Sequence, residues 1–156
     1  MSRNFALALV LALAPLAAAP AAADASCKRI HAHLFLQADA EPTCGSPIGL
    51  CATATLQGSL TANTEFVGTS FLPTVDTATT GVVVLTGDNT FHTDSGDFFT
   101  KDAIVLSTVG AGEFSEVDVV TGGTGEWAGA TGVLIASGTF ADGAGEGMID
   151  GQICTP

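Results

Sequence analysis

From Ile30 onward, apolar and polar residues alternate in short runs separated by turn residues. Ile30–Gln37 sets the pattern. Ile30, Ala32, Leu34 and Leu36 fall on one face of an extended chain, and His31, His33, Phe35 and Gln37 fall on the other. A period of two marks a strand, not a helix. The same reading predicts strands over Ala52–Ala62 (weakened by Gly58), Glu65–Leu72, Val82–Thr86, Phe98–Thr108, Glu113–Thr121, Gly132–Phe140 and Gly145–Ile153. Asp39–Gly49 reads as a loop holding Pro42 and Pro47, and Thr74–Thr80 as a polar, exposed segment. Gly87-Asp88-Asn89 reads as a turn or bulge before Phe91, and Asp94-Ser-Gly-Asp97 as a hairpin turn. Gly110-Ala-Gly112 and Asp142-Gly-Ala are short turns. No good amphipathic helix appears among them. Eight strands with short connections predict an all-β fold, an eight-stranded antiparallel β-barrel. Such a barrel is just wide enough for a packed core or one small ligand.

The densest punctuation lies in Thr121–Gly132, T-G-G-T-G-E-W-A-G-A-T-G, between the apolar runs Val117–Val120 and Val133–Ala136. Glycine serves where the backbone needs positive φ or a close approach. Gly122, Gly123, Gly125 and Gly132 are therefore structural, in a tight connection that folds Trp127 and Ala130 back onto the core. A phosphate cradle does not fit. The third glycine of G-x-G-x-x-G would fall at Ala128, and a strand follows where the motif needs a helix. Val119, Val120, Gly122, Gly123, Thr124, Gly125, Trp127, Ala130 and Gly132 resemble the signature of the allene oxide cyclase-like and dirigent-like barrels. The resemblance covers about Glu116–Thr139. It implies an eight-stranded antiparallel barrel with an apolar cavity, often in a homo-oligomer. In plants such proteins cyclise an unsaturated epoxide or steer phenolic radical coupling. Two departures weaken a transfer of that chemistry. Thr131 stands where dirigent-like proteins commonly have arginine, and the chain has no tyrosine.

The first residues change the picture of where the chain acts. Arg3 precedes the apolar stretch Phe5–Leu16, and Ala23-Asp24-Ala25 is an A-x-A cleavage site. Residues 1–25 are expected to be a secretory signal peptide, with 26–156 a single barrel domain, secreted or periplasmic. Cleavage after Ala23 is the alternative. Lipidation at Cys27 is disfavoured, because Asp24-Ala25-Ser26 lacks the apolar residue that processing expects. No later segment is long and apolar enough to insert into a membrane. Four cysteines in an exported chain imply two disulfides, with three pairings open. A closed barrel brings its ends together, which favours Cys27–Cys154, and the Pro/Gly loop between Cys44 and Cys51 favours their closure. No C-x-x-C pair points to zinc.

Removing the leader leaves Lys28, Arg29 and Lys101 against fifteen acids. That balance argues against nucleic acid and anionic membrane surfaces as partners. A small apolar molecule remains the expected ligand, and no cofactor is expected.

Few groups are left to carry chemistry. His31 and His33 share a strand face with His92 as a candidate third ligand, but an exposed or hydrogen-bonded pair is the simpler account. Asp88, Asn89, Asp94 and Asp97 could offer oxygens to calcium, yet they are also what turns require and match no calcium loop. No metal site is expected. No G-x-S-x-G occurs.

Three carboxylates inside strands remain as candidate catalytic acids: Asp102, Glu116 and Asp118. By strict alternation Asp102 shares a face with Phe98, Ile104 and Leu106. Glu116 and Asp118 share one with Phe114 and Val120. For these two an outward orientation is favoured, with Val117, Val119 and Thr121 facing in. Phe98, Ile104, Leu106, Val82, Val84 and Leu134 are the expected cavity lining. The expectation is an exported barrel that binds a small apolar, oxygen-bearing molecule or a partner. The alternatives are a cofactor-independent cyclase or isomerase, and a structural or cell-surface barrel with a filled core.

Overall fold

A computed structural model describes residues 25–39, 44–72 and 81–156. Most of the expected signal peptide, residues 1–24, and the segment Thr74–Thr80 lie outside the described residues. The chain forms eight strands: β1 Ser26–Ala38, β2 Cys51–Gly58, β3 Ala62–Leu72, β4 Val82–Thr93, β5 Gly96–Ser107, β6 Glu113–Gly123, β7 Thr131–Ala141 and β8 Ala144–Thr155. Each pairs antiparallel with the next, and β8 closes on β1. Short connections between sequential strands make this up-and-down order the natural one. The result is the expected closed barrel, with no free sheet edge.

Most strand limits differ from the sequence expectation by a few residues, and two of the differences change an element. The break between β2 and β3 falls at residues 59–61, so Ala62 begins β3. β4 runs unbroken through Gly87-Asp88-Asn89, which the sequence marked as a turn or bulge; there is no turn, and the irregularity lies on the facing strand, between Gly68 and Ser70 of β3. Turn-forming residues are tolerated here because the ladder holds them on both sides: Gly87 pairs with Gly68 and Asp102, Asn89 with Phe66 and Thr100. Gly87 is also needed sterically, since a Cβ there would run into the Phe66 ring.

Alternation sorts the side chains. At one end of the barrel Ile30, Leu56, Phe91, Phe98, Leu134 and Ile153 are fully buried. Phe91 and Phe98 stack at 4.3 Å between ring centroids, and Trp127 leans on Phe98 at 5.2 Å. Trp127 sits on a single 3₁₀ turn, Gly125–Trp127, inside the Gly-rich connection, and its indole N–H donates to Thr93 Oγ1. This closes that end with aromatic packing.

Cys27 lies opposite Cys154 in the β1–β8 register, and the two are joined; Cys44 is joined to Cys51. Both pairs suit an oxidising compartment.

Candidate functional site

β5 and β6 place three acids together. Asp102 stands directly across from Asp118, and Ile104 across from Glu116. Opposed side chains on adjacent strands have Cβ atoms about 4.5–5.5 Å apart, so Asp102 and Asp118 are forced into proximity. Glu116 joins them two residues along the same face. A register shift between Phe99 and Thr100 lies just before Asp102, a place where bulges commonly re-aim side chains. One carboxylate oxygen from each acid lies within 4.8 Å of the others. Their exposures are 3% for Asp102, 7% for Glu116 and 1% for Asp118.

Nothing positive offsets this cluster. Every Lys, Arg and His among the described residues is at least partly exposed. Three full charges at that spacing would repel by about 3 kcal/mol per pair at an effective dielectric of about 20. The sum, roughly 10 kcal/mol, rivals the whole net stability of a domain. The carboxyls therefore keep their protons to higher pH than free acids do. Burial pushes Glu116 up to about 8, with the Asp102 charge adding to the rise. Burial likewise pushes Asp102 up to about 6, and the neighbouring Thr100 hydroxyl offsets part of it. Asp118 goes well above its ordinary value, through burial first and the charges of Glu116 and Asp102 second. Several buried oxygens nonetheless lack any hydrogen-bond partner: both of Asp102, Oδ1 of Asp118, Oγ1 of Thr100 and Oδ1 of Asn89.

Above the cluster is a cavity of about 110 Å³. Leu36, Phe66, Leu85, Leu106, Phe114 and Phe140 are among its apolar walls, and Asn89, Glu116, Asp118 and Thr64 are its polar points. Leu36, Leu106 and Phe140 are only partly buried, so the cavity reaches the barrel rim. An apolar cavity of about 150 Å³ can hold a benzene-sized ring. At about 110 Å³ this cavity is smaller, so a short chain or the edge of a ring would sit against the acids, with the rest of the molecule toward the rim.

The sequence expectations fare unevenly. Asp102 faces inward, one of the two orientations left open. Glu116 and Asp118 also face inward, against the favoured outward orientation. Val117 and Val119 are instead 41% and 45% exposed. The partner strands decide it: Asp118 lies across from Leu134, which is fully buried, and Phe114 and Val120 on the same β6 face are buried too. Ile104 and Leu106 line the cavity. Phe98 and Leu134 lie in the packed end and do not. Val82 and Val84 are a correction. Leu85, Asn89 and Phe91 point inward from β4, which puts Val82 and Val84 on the opposite face.

Thr100 was legible from alternation with Asp102. Asn89 was hidden by its turn-like neighbours. The histidines are not brought together. His31 pairs with Asp150, His92 with Asp97, and β2 and β3 separate His33 from His92. Asp88 of the turn cluster pairs with Lys101.

No family model, curated protein or solved structure matches this chain.

Proposed function

We propose that the protein is an exported barrel that binds a small, mostly apolar molecule carrying an oxygen function. The apolar part would occupy the cavity, and the oxygen would meet Asn89, Glu116 and Asp118 at its inner end. The observation that carries this reading is the cavity itself: apolar walls, access from the rim, and a few convergent polar groups at depth. A core filled by its own side chains would leave no such space, which counts against a purely structural barrel. The resemblance of the Gly-rich connection to allene oxide cyclase-like and dirigent-like barrels supports the same reading, because those barrels also use their interior.

Thermal-shift screening with unsaturated fatty acids, terpenoids and phenolics tests it. At least one class should raise the midpoint, and Leu106→Trp, which fills the mouth of the cavity, should abolish the rise. A screen with no shift, or a shift that survives Leu106→Trp, counts against the cavity.

A second reading, a cofactor-independent isomerase or cyclase, is favoured by one observation. Glu116 borders the cavity and holds its proton to about pH 8. An acid of that strength can donate to an epoxide or carbonyl oxygen near neutral pH. Product formation from a bound ligand, lost in Glu116→Gln while binding persists, distinguishes it from binding alone.

A further inference from the structure

We propose that Asp102, Glu116 and Asp118, with Thr100 and Asn89, form a site for one calcium ion at the inner end of the barrel cavity. The inference builds on the cavity as the binding site proposed above.

Three carboxylates come within 4.8 Å of one another with no basic side chain buried beside them. An acidic cluster alone would not make a site, but a second observation points to a ligand. Thr100, 2% exposed, lies two residues before Asp102 on the same inward face, and its buried hydroxyl oxygen has no hydrogen-bond partner. Asn89 lies directly across from Thr100, and its carbonyl oxygen is also buried and unpartnered. Once a cation displaces the carboxyl protons, the unpartnered atoms here apart from that hydroxyl are all acceptors. Orphaned acceptors cost about 1–3 kcal/mol each when left so, and what satisfies several at once is a cation.

The donor set is oxygen only, which selects a hard ion over zinc, copper or iron. Its spread selects among hard ions. Calcium takes six to eight oxygens at about 2.3–2.6 Å, so its shell is about 4.6–5.2 Å across. Magnesium demands about 2.0–2.1 Å and a near-ideal octahedron, a shell of only about 4.2 Å. Oxygens within 4.8 Å can span the larger shell, and an irregular set of strand side chains suits calcium's flexible geometry better than magnesium's octahedron. Three carboxylates, one hydroxyl and one amide oxygen give five ligands, fewer than calcium's complement. Glu116, Asp118 and Asn89 border the cavity, so the open positions face it. The oxygen of an organic ligand, or water, would complete the shell there.

Calorimetric titration of the purified, disulfide-bonded protein with calcium chloride, after treatment with a chelator, tests this. One site per chain is expected, with a calcium-dependent rise in thermal midpoint. Asp118→Asn should weaken binding about tenfold or more, because charge count sets affinity in oxygen sites. Thr100→Val, which keeps shape and charge, should weaken it severalfold and serves if the first variant folds poorly. Glu146→Gln, on the outer face of β8, should change nothing. Absence of heat and of any midpoint shift up to about 10 mM calcium, above the 10⁻⁴–10⁻³ M range of extracellular calcium modules, overturns the proposal. So does undiminished binding in Asp118→Asn, or a preference for magnesium or manganese chloride over calcium. The organic-ligand screen repeated with chelator present separates the two claims. Ligand binding without any calcium response sinks the ion and leaves the cavity; loss of both sinks both.

Discussion

Glu116 lies buried on the inward face of β6, beside Asp118 and across from Ile104. On β6 both faces are plausible interiors: one offers Val117, Val119 and Thr121, the other Phe114, Glu116, Asp118 and Val120. Counting apolar groups favours the first. The barrel chooses the second, because Phe114 and Val120 must meet the core contributed by β5 and β7, and the acids go in with them. The sign of the pH dependence follows. With calcium chelated, folded Glu116 keeps its proton to about pH 8, against an ordinary 4.5 in the unfolded chain. Asp102 keeps its proton to about 6, against 3.8. Between these values the folded state binds more protons, so stability falls as pH rises through the window. Thermal midpoints measured from about pH 4 to pH 9 should decline. Glu116→Gln should flatten the upper part of the decline; a curve that rises with pH contradicts the protonated cluster. In the packed end the expectation is simpler. Leu134 is fully buried, and Leu134→Ala should cost about 2–5 kcal/mol in denaturant unfolding.

At the scale of elements, the strands were legible because period two survives any register, while their limits were not. β4 shows why. Gly87, Asp88 and Asn89 carry turn propensity, but nine paired residues on β3 and twelve on β5 hold them extended, and tertiary pairing overrides local preference. Asn89 was lost as a site residue for that reason. The Gly-rich connection was read as structural, and the geometry supplies the reason position by position. Gly125 has φ +57° and sits where Ser95 O would meet a Cβ. Gly123 has no unusual φ; a Cβ there would come within 2.6 Å of Trp127 Cβ. Gly123→Val should therefore unseat Trp127 and abolish folded protein, judged by near-ultraviolet dichroism and soluble yield. A normally folded Gly123→Val that loses only ligand binding would make the connection a site instead.

For the whole molecule, closure links the disulfide, the core and the cavity. Cys27 and Cys154 are 127 residues apart in sequence and cross-strand partners in space. A bond closing so long a loop restricts the unfolded chain by about 3–5 kcal/mol in the entropy model. Cys27→Ser/Cys154→Ser should lower stability by that order in denaturant unfolding, whereas an unchanged midpoint would show that the ladder alone holds the ends. The closed ladder also fixes which side chains can meet a ligand, so the binding claim can be tested from inside and outside together. The measurement is methyl-resolved NMR of the disulfide-bonded protein during titration with the fatty-acid, terpenoid and phenolic panel. The account predicts that at least one ligand saturably shifts the inward methyls of Leu36, Leu85, Ile104 and Leu106. The outward methyls of Val117, Val119, Val133 and Ile135 should stay still. Shifts confined to the outward set, or no shift with any ligand, would contradict it.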